Sequence, residues 1–551
     1  MVMPFSADQL SVPVNVPSPS QQAKNLDRVM AKTCARIASQ VPSNPTQMDL
    51  DDFWVEIPQF TMVATQHLRL LENPDLLSPF LGLAYFYEGQ GNYSTAETWW
   101  KAALSATTER FGSDHPDVVS SLINLATLYR KLGQYGQAEP LLLQALQTTR
   151  HLVKPNYADV ATCLYSLGLL YHNQGRYDDA ELCLRQALDL RQQLLDAPHQ
   201  HITVSLNGLA LLYRDRGRYQ EAEPLLLESL EQTQQLVGTE HGDVATILNN
   251  LALVYQHQGR YEEAEEKFHE ALEMRQRLFG DRHPHVLISL NNLAAFHYVR
   301  ADYQKQEALL LKVYTLRKEI FGETHPDVAL SQSNLAALYR ELGRYADAEY
   351  CFRDALRLET SLVGEQHPHV VACLNGLGLL YYSQERFDEA EPLLERALVL
   401  SREIHGEQHP EVATCMNNLG LVYHNQSRLE EAERLFSEAL TLTKRIVGNE
   451  HPDVATCLNN LATLYYMQGR YGSAEPYFQQ ALELKRRLLG DEHPHVATCL
   501  NNVATVYHLQ GRSLEAVPFY EQALTIRERV LGAEHPLTLQ CRRNLRVIRQ
   551  R

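Results

Sequence analysis

One stretch of 42 residues decides the fold: residues 451–492 read HPDVATCLNNLATLYYMQGRYGSAEPYFQQALELKRRLLGDE. Its first half predicts a helix that begins at Pro452, where the missing backbone N–H costs nothing, and ends near Gly469. Its second half predicts another helix that ends at Gly490. Apolar residues lie at helical spacing in both halves, on one face of each helix: Val454, Leu458, Leu461, Ala462, Tyr465, Ala474, Phe478, Ala481, Leu482 and Leu484. The stretch therefore predicts a pair of amphipathic helices.

The same pattern recurs every 42 residues through most of the chain. His-Pro pairs mark the repeat starts at His115, His283, His325, His367, His409, His451, His493 and His535. Tyr157, His199 and His241 hold the same position without the proline, and Asn73-Pro74 comes one period before His115. Residues 73–534 thus predict eleven repeats without an insertion or deletion, and such a register identifies a repeat array.

The sequences that flank the array are short. Residues 1–24 are rich in proline and serine and predict a disordered tail. Residues 25–72 predict an N-terminal helical cap, and residues 535–551 predict a C-terminal capping helix. The domain organisation is therefore a tail, a helical cap, the array and a closing helix.

Composition excludes several classes of partner. The 551 residues include 50 Lys and Arg against 67 Asp and Glu, a net charge of −17. Nucleic acids and anionic membranes need a basic footprint, so neither is an expected partner. No apolar run is long enough for a membrane-spanning helix, and the N-terminus lacks the features of a secretory signal. We therefore expect a cytoplasmic protein.

No residue pattern predicts catalysis. The sequence lacks the phosphate-binding loop, zinc-protease, nucleophile-elbow and dinucleotide-binding motifs, so we expect no enzymatic activity and no cofactor. His283-x-His285, His367-x-His369 and His493-x-His495 place imidazoles close together. A third ligand is not evident beside any of these pairs, and metal binding is not expected.

The motifs resemble those of a known family. Leu-Gly/Ala-x-x-Tyr followed by Gly-x-Tyr-x-x-Ala is typical of the tetratricopeptide repeat. The 42-residue period, HPDVA, LNNLA and QGRYEEAE make the array similar to the kinesin light chain subtype. The resemblance implies an all-α solenoid, a right-handed superhelix of antiparallel helix pairs with a concave groove. It also implies cargo binding, association with the cytoskeleton and a kinesin heavy chain as partner, which that family binds through an N-terminal heptad region. Residues 1–72 contain no sustained heptads.

Polar columns on the first helices are the candidate binding residues. In the family, the side of the first helix opposite its apolar face lines the groove. Two asparagines recur there, and their amides suit the backbone of an extended peptide; the alternative is a structural bond to a neighbouring repeat. The next column contains no acid and favours acidic and aromatic peptides, unless its long side chains only cover the helix surface. The predicted peptide-binding residues are Asn124, Asn250, Asn292, Asn334, Asn418, Asn460, Asn502, Arg130, Arg214, Arg340, Tyr382 and Tyr466.

Together these patterns predict a non-enzymatic scaffold or cargo adaptor that holds peptide segments of partner proteins in its groove. We expect the most regular repeats, residues 367–534, to carry the main site. Two alternatives remain open. One is a self-assembling scaffold, and the other is a regulatory module whose groove is occupied by its own N-terminal tail; neither requires a motor.

Overall fold

The computed structural model describes residues 19–43, 45, 47–151, 156–300, 302–533 and 536–549. Helices account for the regular structure of these ranges, which contain no strand, so the predicted all-α solenoid is confirmed. None of the described helices has the length and apolar character that crossing a lipid bilayer requires. The chain divides into two compact units, residues 1–107 and residues 108–551, which we describe separately.

Unit 1 contains the N-terminal helices and the first repeat. Its helices are α1 Pro19–Ala38, α2 Gln47–Phe53, α3 Ile57–Gln66, α4 Ser78–Gly89 and most of α5 Tyr93–Phe111. Phe60, Phe80 and Phe86 are fully buried and form the centre of its core. Helix α1 begins earlier than residue 25, its predicted start, and the predicted tail overlaps its first turns. Residues 1–18 lie outside the described residues, so disorder there stays a prediction.

Unit 2 is a succession of antiparallel helix pairs, in which each repeat contributes a first and a second helix. The last helix, α26, is the predicted closing helix. The bounds are α6 Pro116–Lys131, α7 Tyr135–His151, α8 Tyr157–Asn173, α9 Tyr177–Leu194, α10 Gln200–Asp215, α11 Tyr219–Val237, α12 Gly242–His257, α13 Tyr261–Phe279, α14 Pro284–Val299, α15 Tyr303–Phe321, α16 Pro326–Glu341, α17 Tyr345–Val363, α18 Pro368–Ser383, α19 Phe387–His405, α20 Pro410–Asn425, α21 Leu429–Val447, α22 Pro452–Met467, α23 Tyr471–Leu489, α24 Pro494–Leu509, α25 Ser513–Leu531 and α26 Pro536–Arg549.

In nine repeats, the opening histidine caps the first helix. Nδ1 of His451 accepts a hydrogen bond from the backbone N–H of Asp453 at 3.1 Å, which satisfies one of the free donors at the start of α22. The same bond, at 3.0–3.2 Å, is made by His115, His199, His241, His283, His325, His367, His409 and His493. The recurring histidine is therefore a helix cap, and the bond requires an Nδ1 that carries no proton.

In eight repeats, an arginine at the start of the second helix links that helix to the preceding repeat. Nη1 of Arg260 donates to Oε1 of Glu223 at 2.9 Å, and its guanidinium lies 4.0 Å from the centre of the Tyr255 ring. Both contacts recur at Arg176, Arg218, Arg344, Arg386, Arg428, Arg470 and Arg512. In repeat 283–324 the position is Asp302, whose carboxylate instead accepts from the N–H of Lys305 in its own helix.

Unit 2 coils so that repeats six periods apart touch. Nε2 of His409 donates to the backbone carbonyl of Asn173 at 3.1 Å, and Nε2 of His451 donates to that of Asp215 at 3.0 Å. The ring centres of Tyr135 and His405 lie 5.6 Å apart, and those of Tyr261 and His493 lie 6.1 Å apart. We call these contacts the seam. The seam joins the turn inside one repeat to the start of the repeat that lies six periods later. The turns are at Gly133, Gly175, Gly217 and Gly259, and the corresponding repeat starts are at Pro368, His409, His451 and His493.

Candidate functional site

The first helices of unit 2 present a polar column beside their buried face. In α22, Leu458, Leu461 and Tyr465 are buried, whereas Asn459 and Asn460 are half-buried. This division follows from the 3.6-residue period, because residues adjacent in sequence point to different sides of a helix. The column is therefore the more accessible side of α22. In α12 the equivalent Asn249 and Asn250 are buried, so Asn250, a predicted peptide-binding residue, is less accessible than its equivalents.

The asparagines form a ladder between repeats. The side-chain N–H of Asn460 donates to Oδ1 of Asn417 in the preceding repeat at 3.3 Å. The same bond links Asn250 to Asn207, Asn334 to Asn291, Asn418 to Asn375 and Asn502 to Asn459, at 2.7–3.3 Å. An asparagine amide has two N–H donors and two acceptor lone pairs, so the ladder leaves hydrogen-bonding capacity on each amide. Asparagine in mid-helix thus has a structural role, while its predicted role in peptide binding stays a prediction.

Buried cysteines extend the ladder. The side-chain N–H of Asn375 donates to Sγ of Cys415 at 3.1 Å, and that of Asn417 donates to Sγ of Cys457 at 3.3 Å. All nine cysteines of the chain are free thiols. Burial raises the pKa of the Cys415 thiol to about 12, so it stays protonated and packs as a small apolar group. Cys415 and Cys457, which are 42 residues apart, therefore fill equivalent packed positions of successive repeats.

The predicted arginines already face polar partners. Nε of Arg214 lies 2.7 Å from Oδ1 of Asp215, and Nη2 of Arg340 lies 2.7 Å from Oε1 of Glu341. Arg130 donates to Oδ1 of Asn173 in the next repeat at 3.4 Å. The column that contains these arginines has no acidic residue, but in two repeats the next residue in sequence, Asp215 or Glu341, supplies a carboxylate. The surface around the column is therefore less basic than the column alone indicates.

The predicted tyrosines pack at the corner between the two helices of a repeat. Tyr382 lies 5.8 Å from Phe387 between ring centres, and its hydroxyl accepts a hydrogen bond from the side-chain N–H of Asn425 at 3.0 Å. Tyr466 lies 6.0 Å from Tyr471. Both rings are half-buried, so one part of each remains accessible.

A cavity of about 640 Å³ opens at the seam, between repeats six periods apart. Of the predicted residues it includes Arg214, which the coil brings to the same cavity as Asn459 and Thr456 of α22. A second cavity, of about 190 Å³, brings together the predicted residues Asn334 and Arg340 with Asn291 and Tyr298. Asn124, Asn250, Asn292, Asn418, Asn460, Asn502, Arg130, Tyr382 and Tyr466 do not line either cavity. The structure therefore distributes the predicted residues along unit 2 and brings only Arg214, Asn334 and Arg340 into a cavity.

Lys485 is the cavity residue that sequence reasoning missed. It belongs to a second helix, α23, yet it lines the seam cavity and is only 8% exposed. No ion pair of Lys485 occurs within the described part of the chain, and burial lowers its pKa. Nearby, burial lowers the pKa of His495 to about 4 and that of His493 to about 3, so both imidazoles are neutral at pH 7. The charge of Asp453 acts on this amine without forming an ion pair, and a buried amine without an ion-pair partner favours an anionic ligand group.

One of the two carboxylates of the cavity is paired. Burial disfavours the charged form of Asp215, but the hydrogen bond from His172 and the charge of Arg214 lower its pKa to about 2. The other carboxylate, Asp453, lies 3.5 Å from Nδ1 of His451, but that nitrogen accepts from the backbone N–H of Asp453 and cannot donate to the carboxylate. The charge of Asp453 acts on Lys485 instead. The cavity therefore presents a buried amine that has no ion pair within the described residues.

Comparison with known proteins gives structural likeness to helical-repeat proteins. One is a Podospora anserina protein described as kinesin light chain-like, with nearly identical TPR-like repeats: identity is 23%, coverage is 37% of this chain and 97% of that chain, and the TM-score is 0.32. Another is a Rap protein complexed with competence and sporulation factor: identity is 14%, coverage is 67% of this chain and 98% of that chain, and the TM-score is 0.46. A third is BtubC from P. vanneervenii: identity is 24%, coverage is 49% of this chain and 92% of that chain, and the TM-score is 0.27. No curated protein matches the sequence.

A family model matches most of the chain. The tetratricopeptide repeat model matches residues 75–151, 122–193, 201–256, 243–305, 286–361, 370–444, 417–487, 469–529 and 496–545. A second model of the same description matches residues 333–403. The overlapping matches run through the helix pairs of unit 2 without favouring one part of it.

Proposed function

Because this chain belongs to the tetratricopeptide repeat family, we propose that it is a non-enzymatic scaffold that holds extended peptide segments of partner proteins along its first helices. Repeats of this family support protein–protein interaction. The observation that carries the proposal is the asparagine ladder, which repeats unused amide donors and acceptors at a fixed spacing. Backbone amides of an extended peptide are their natural partners, and pockets between repeats would read its side chains.

Lys485 supports a preference for acidic peptides. Its amine lines the seam cavity without an ion-pair partner in the described ranges, and Arg214 lies in the same cavity. An aspartate or glutamate of a bound peptide would form the direct ion pair that Lys485 lacks, and burial strengthens such a charge-assisted hydrogen bond. The half-buried rings of Tyr382 and Tyr466 would then accept an aromatic anchor.

Selection from a displayed random-peptide library tests this proposal with the full-length protein. Thr456 and Thr441 form a matched pair: both are exposed, and both side-chain hydroxyls donate to the carbonyl four residues earlier. Thr456 lines the seam cavity, whereas Thr441 belongs to a second helix. We expect Thr456→Trp to weaken selected peptides by about tenfold or more, and Thr441→Trp to leave their affinity unchanged.

The outcome that contradicts the proposal is equal binding by wild type, Thr456→Trp and Thr441→Trp, each shown by circular dichroism to be folded. Enrichment of acidic residues among selected peptides, lost in Lys485→Met, would support the acidic preference. A selection without acidic enrichment would show that Lys485 has a structural role only.

A narrower proposal follows from the sequence motifs that resemble kinesin light chains. Under it, the bound segments belong to cargo proteins, and the protein acts in the cytoplasm with a microtubule motor. Binding of a purified kinesin heavy chain to the full-length protein, measured by size-exclusion chromatography, tests this step separately from peptide binding. If no complex forms while peptides still bind, the protein is a scaffold without a motor. A concentration series in light scattering tests self-assembly, one of the two alternatives. Deleting residues 1–24 tests the other, a groove occupied by the N-terminal tail, which predicts that peptide affinity rises.

A further inference from the structure

The residue eight positions before each repeat-opening histidine is buried, and we call it the corner residue. Four repeats open with a His-x-His pair: His199/His201, His283/His285, His367/His369 and His493/His495. Their corner residues are Arg191, Arg275, Glu359 and Lys485 respectively, and each is less than 10% exposed. Three of the four pairs therefore lie beside a buried cation and one lies beside a buried carboxylate.

Where the corner residue is arginine, it bonds to the pair's own helix. Nη1 of Arg275 donates to the backbone carbonyl of His285 at 3.0 Å and to Oγ of Ser289 at 2.8 Å. Arg191 makes the equivalent bonds to His201 and Ser205, at 3.0 and 2.7 Å. These guanidiniums fill the corner, and their positive charge opposes that of a metal ion. Such repeats give the His-x-His pair no metal-binding partner.

Glu359 reverses the charge at this corner. Its side chain is 1% exposed, and Oε1 lies 3.1 Å from Nδ1 of His369. Oε2 is buried and has no hydrogen-bond partner among the described residues. The serine that faces the guanidinium elsewhere is replaced here by Cys373, whose thiol is a weak donor. A buried carboxylate oxygen without a donor or a cation is costly, and this one lies beside two imidazoles.

The three side chains converge. Glu359, His367 and His369 each place one ligand atom within 4.8 Å of the other two. No other trio of His, Cys, Asp or Glu side chains in the described ranges meets this condition. Two imidazole nitrogens and one carboxylate oxygen, with water as a fourth ligand, are a common tetrahedral donor set for zinc. The third ligand that the sequence did not reveal is therefore a glutamate from the preceding helix, α17.

We propose that Glu359, His367 and His369 form a binding site for a divalent transition-metal ion, with zinc as the best chemical match. An ion there neutralises the buried carboxylate and gives Oε2 of Glu359 a partner. It also ties α17 to the start of α18. His367 gives up one of its backbone contacts to bind the ion, because its Nδ1 otherwise accepts from the N–H of His369 at 3.2 Å. We therefore expect weaker binding than at a structural zinc site with four protein ligands.

Zinc titration of the chelator-treated, full-length protein tests the proposal, with a chromophoric chelator as competitor. The decisive variant is Glu359→Gln, which keeps the size of the side chain and removes its charge. His495→Gln is the matched control, because His493 and His495 form the same pair beside Lys485. We expect wild type and His495→Gln to bind one zinc ion with the same affinity, and Glu359→Gln to lose affinity by about tenfold or more.

Equal zinc binding by wild type and Glu359→Gln would overturn the proposal, as would an equal loss in His495→Gln.

A second variant, Glu359→Arg, separates loss of the ion from loss of the fold, since Arg191 and Arg275 already occupy this corner in other repeats. Circular dichroism should show its helicity unchanged, and we expect it to bind no ion at this site. Cobalt gives an independent readout through its visible absorption, which should be tetrahedral in wild type and absent in Glu359→Arg; cobalt absorption that persists in Glu359→Arg would overturn the proposal.

Discussion

Replacing Gly175 with alanine should destabilise the protein more than the same change at Gly469, although both glycines hold the same turn of their repeats. Their φ angles are 69° and 72°, in the left-handed region. An alanine there costs about 1–2 kcal/mol at either position. The backbone penalty therefore cancels when the two variants are compared.

The seam supplies the difference. A methyl group on Gly175 would come 2.6 Å from Cδ of Pro410 and 3.1 Å from Cδ2 of His409, whereas one on Gly469 would meet nothing within 4 Å. Ordinary contact begins near 3.4 Å, so the two coils must separate by about 0.8 Å. That shift breaks the bond of 3.1 Å from His409 to the carbonyl of Asn173, at about 0.5–1.5 kcal/mol. We expect Gly175→Ala to lose about 1 kcal/mol more than Gly469→Ala.

Urea unfolding followed by circular dichroism measures this difference, and small-angle X-ray scattering reports whether the coils separate. Gly133→Ala should behave like Gly175→Ala, because its methyl group would also lie 2.6 Å from a proline, Pro368. Gly217→Ala, with a nearest approach of 3.1 Å, should fall between the two groups. Equal losses for Gly175→Ala and Gly469→Ala, with unchanged scattering, would refute the seam.

Three further predictions concern the caps and the ladders. Burial lowers the pKa of His409 to about 4, below the value of about 6.5 for an unfolded chain, so the neutral cap contributes fully above pH 6.5 and is lost as the pH falls to 4. The unfolding midpoint should fall over that range, and less steeply in His409→Asn, which keeps a capping acceptor without titrating. Asn460→Ala and Asn417→Ala should each cost about 1 kcal/mol, and a double-mutant cycle should show that the two losses do not add. Arg260→Ala should cost about 1 kcal/mol through its contacts with Glu223 and Tyr255, with the ion-pair part reduced in high salt.

The sequence was sufficient for the architecture because each repeat contains its own helix signals. Pro452, Gly469 and Gly490 mark the start, turn and end of a helix pair, and the structure places helix bounds beside them. The start of α1 was predicted too late, at residue 25, because Pro19 was assigned to a disordered tail although proline is favoured in a first helical turn.

The sites were harder to predict because they depend on distances between repeats. Asn417 and Asn460 were recognised as columns, but their mutual bond requires the offset of adjacent first helices. The seam cavity requires the pitch of the coil, which no single repeat encodes. Glu359 lies in a second helix whose other acidic residues are exposed or half-buried, and its burial against His369 distinguishes it.

The six-repeat offset of the seam changes how cooperative such an array should be. A linear repeat protein has contacts between neighbours only, so its stability resembles a one-dimensional chain of coupled units that can fray from either end. Contacts such as His409 to Asn173 add a second dimension, because the repeats that open at His367, His409, His451 and His493 each also touch a distant repeat. Shortening the array to six repeats would remove these long-range contacts entirely. Each further repeat would add one more contact between coils. The unfolding transition should therefore become abruptly sharper when a seventh repeat is added to an array of six.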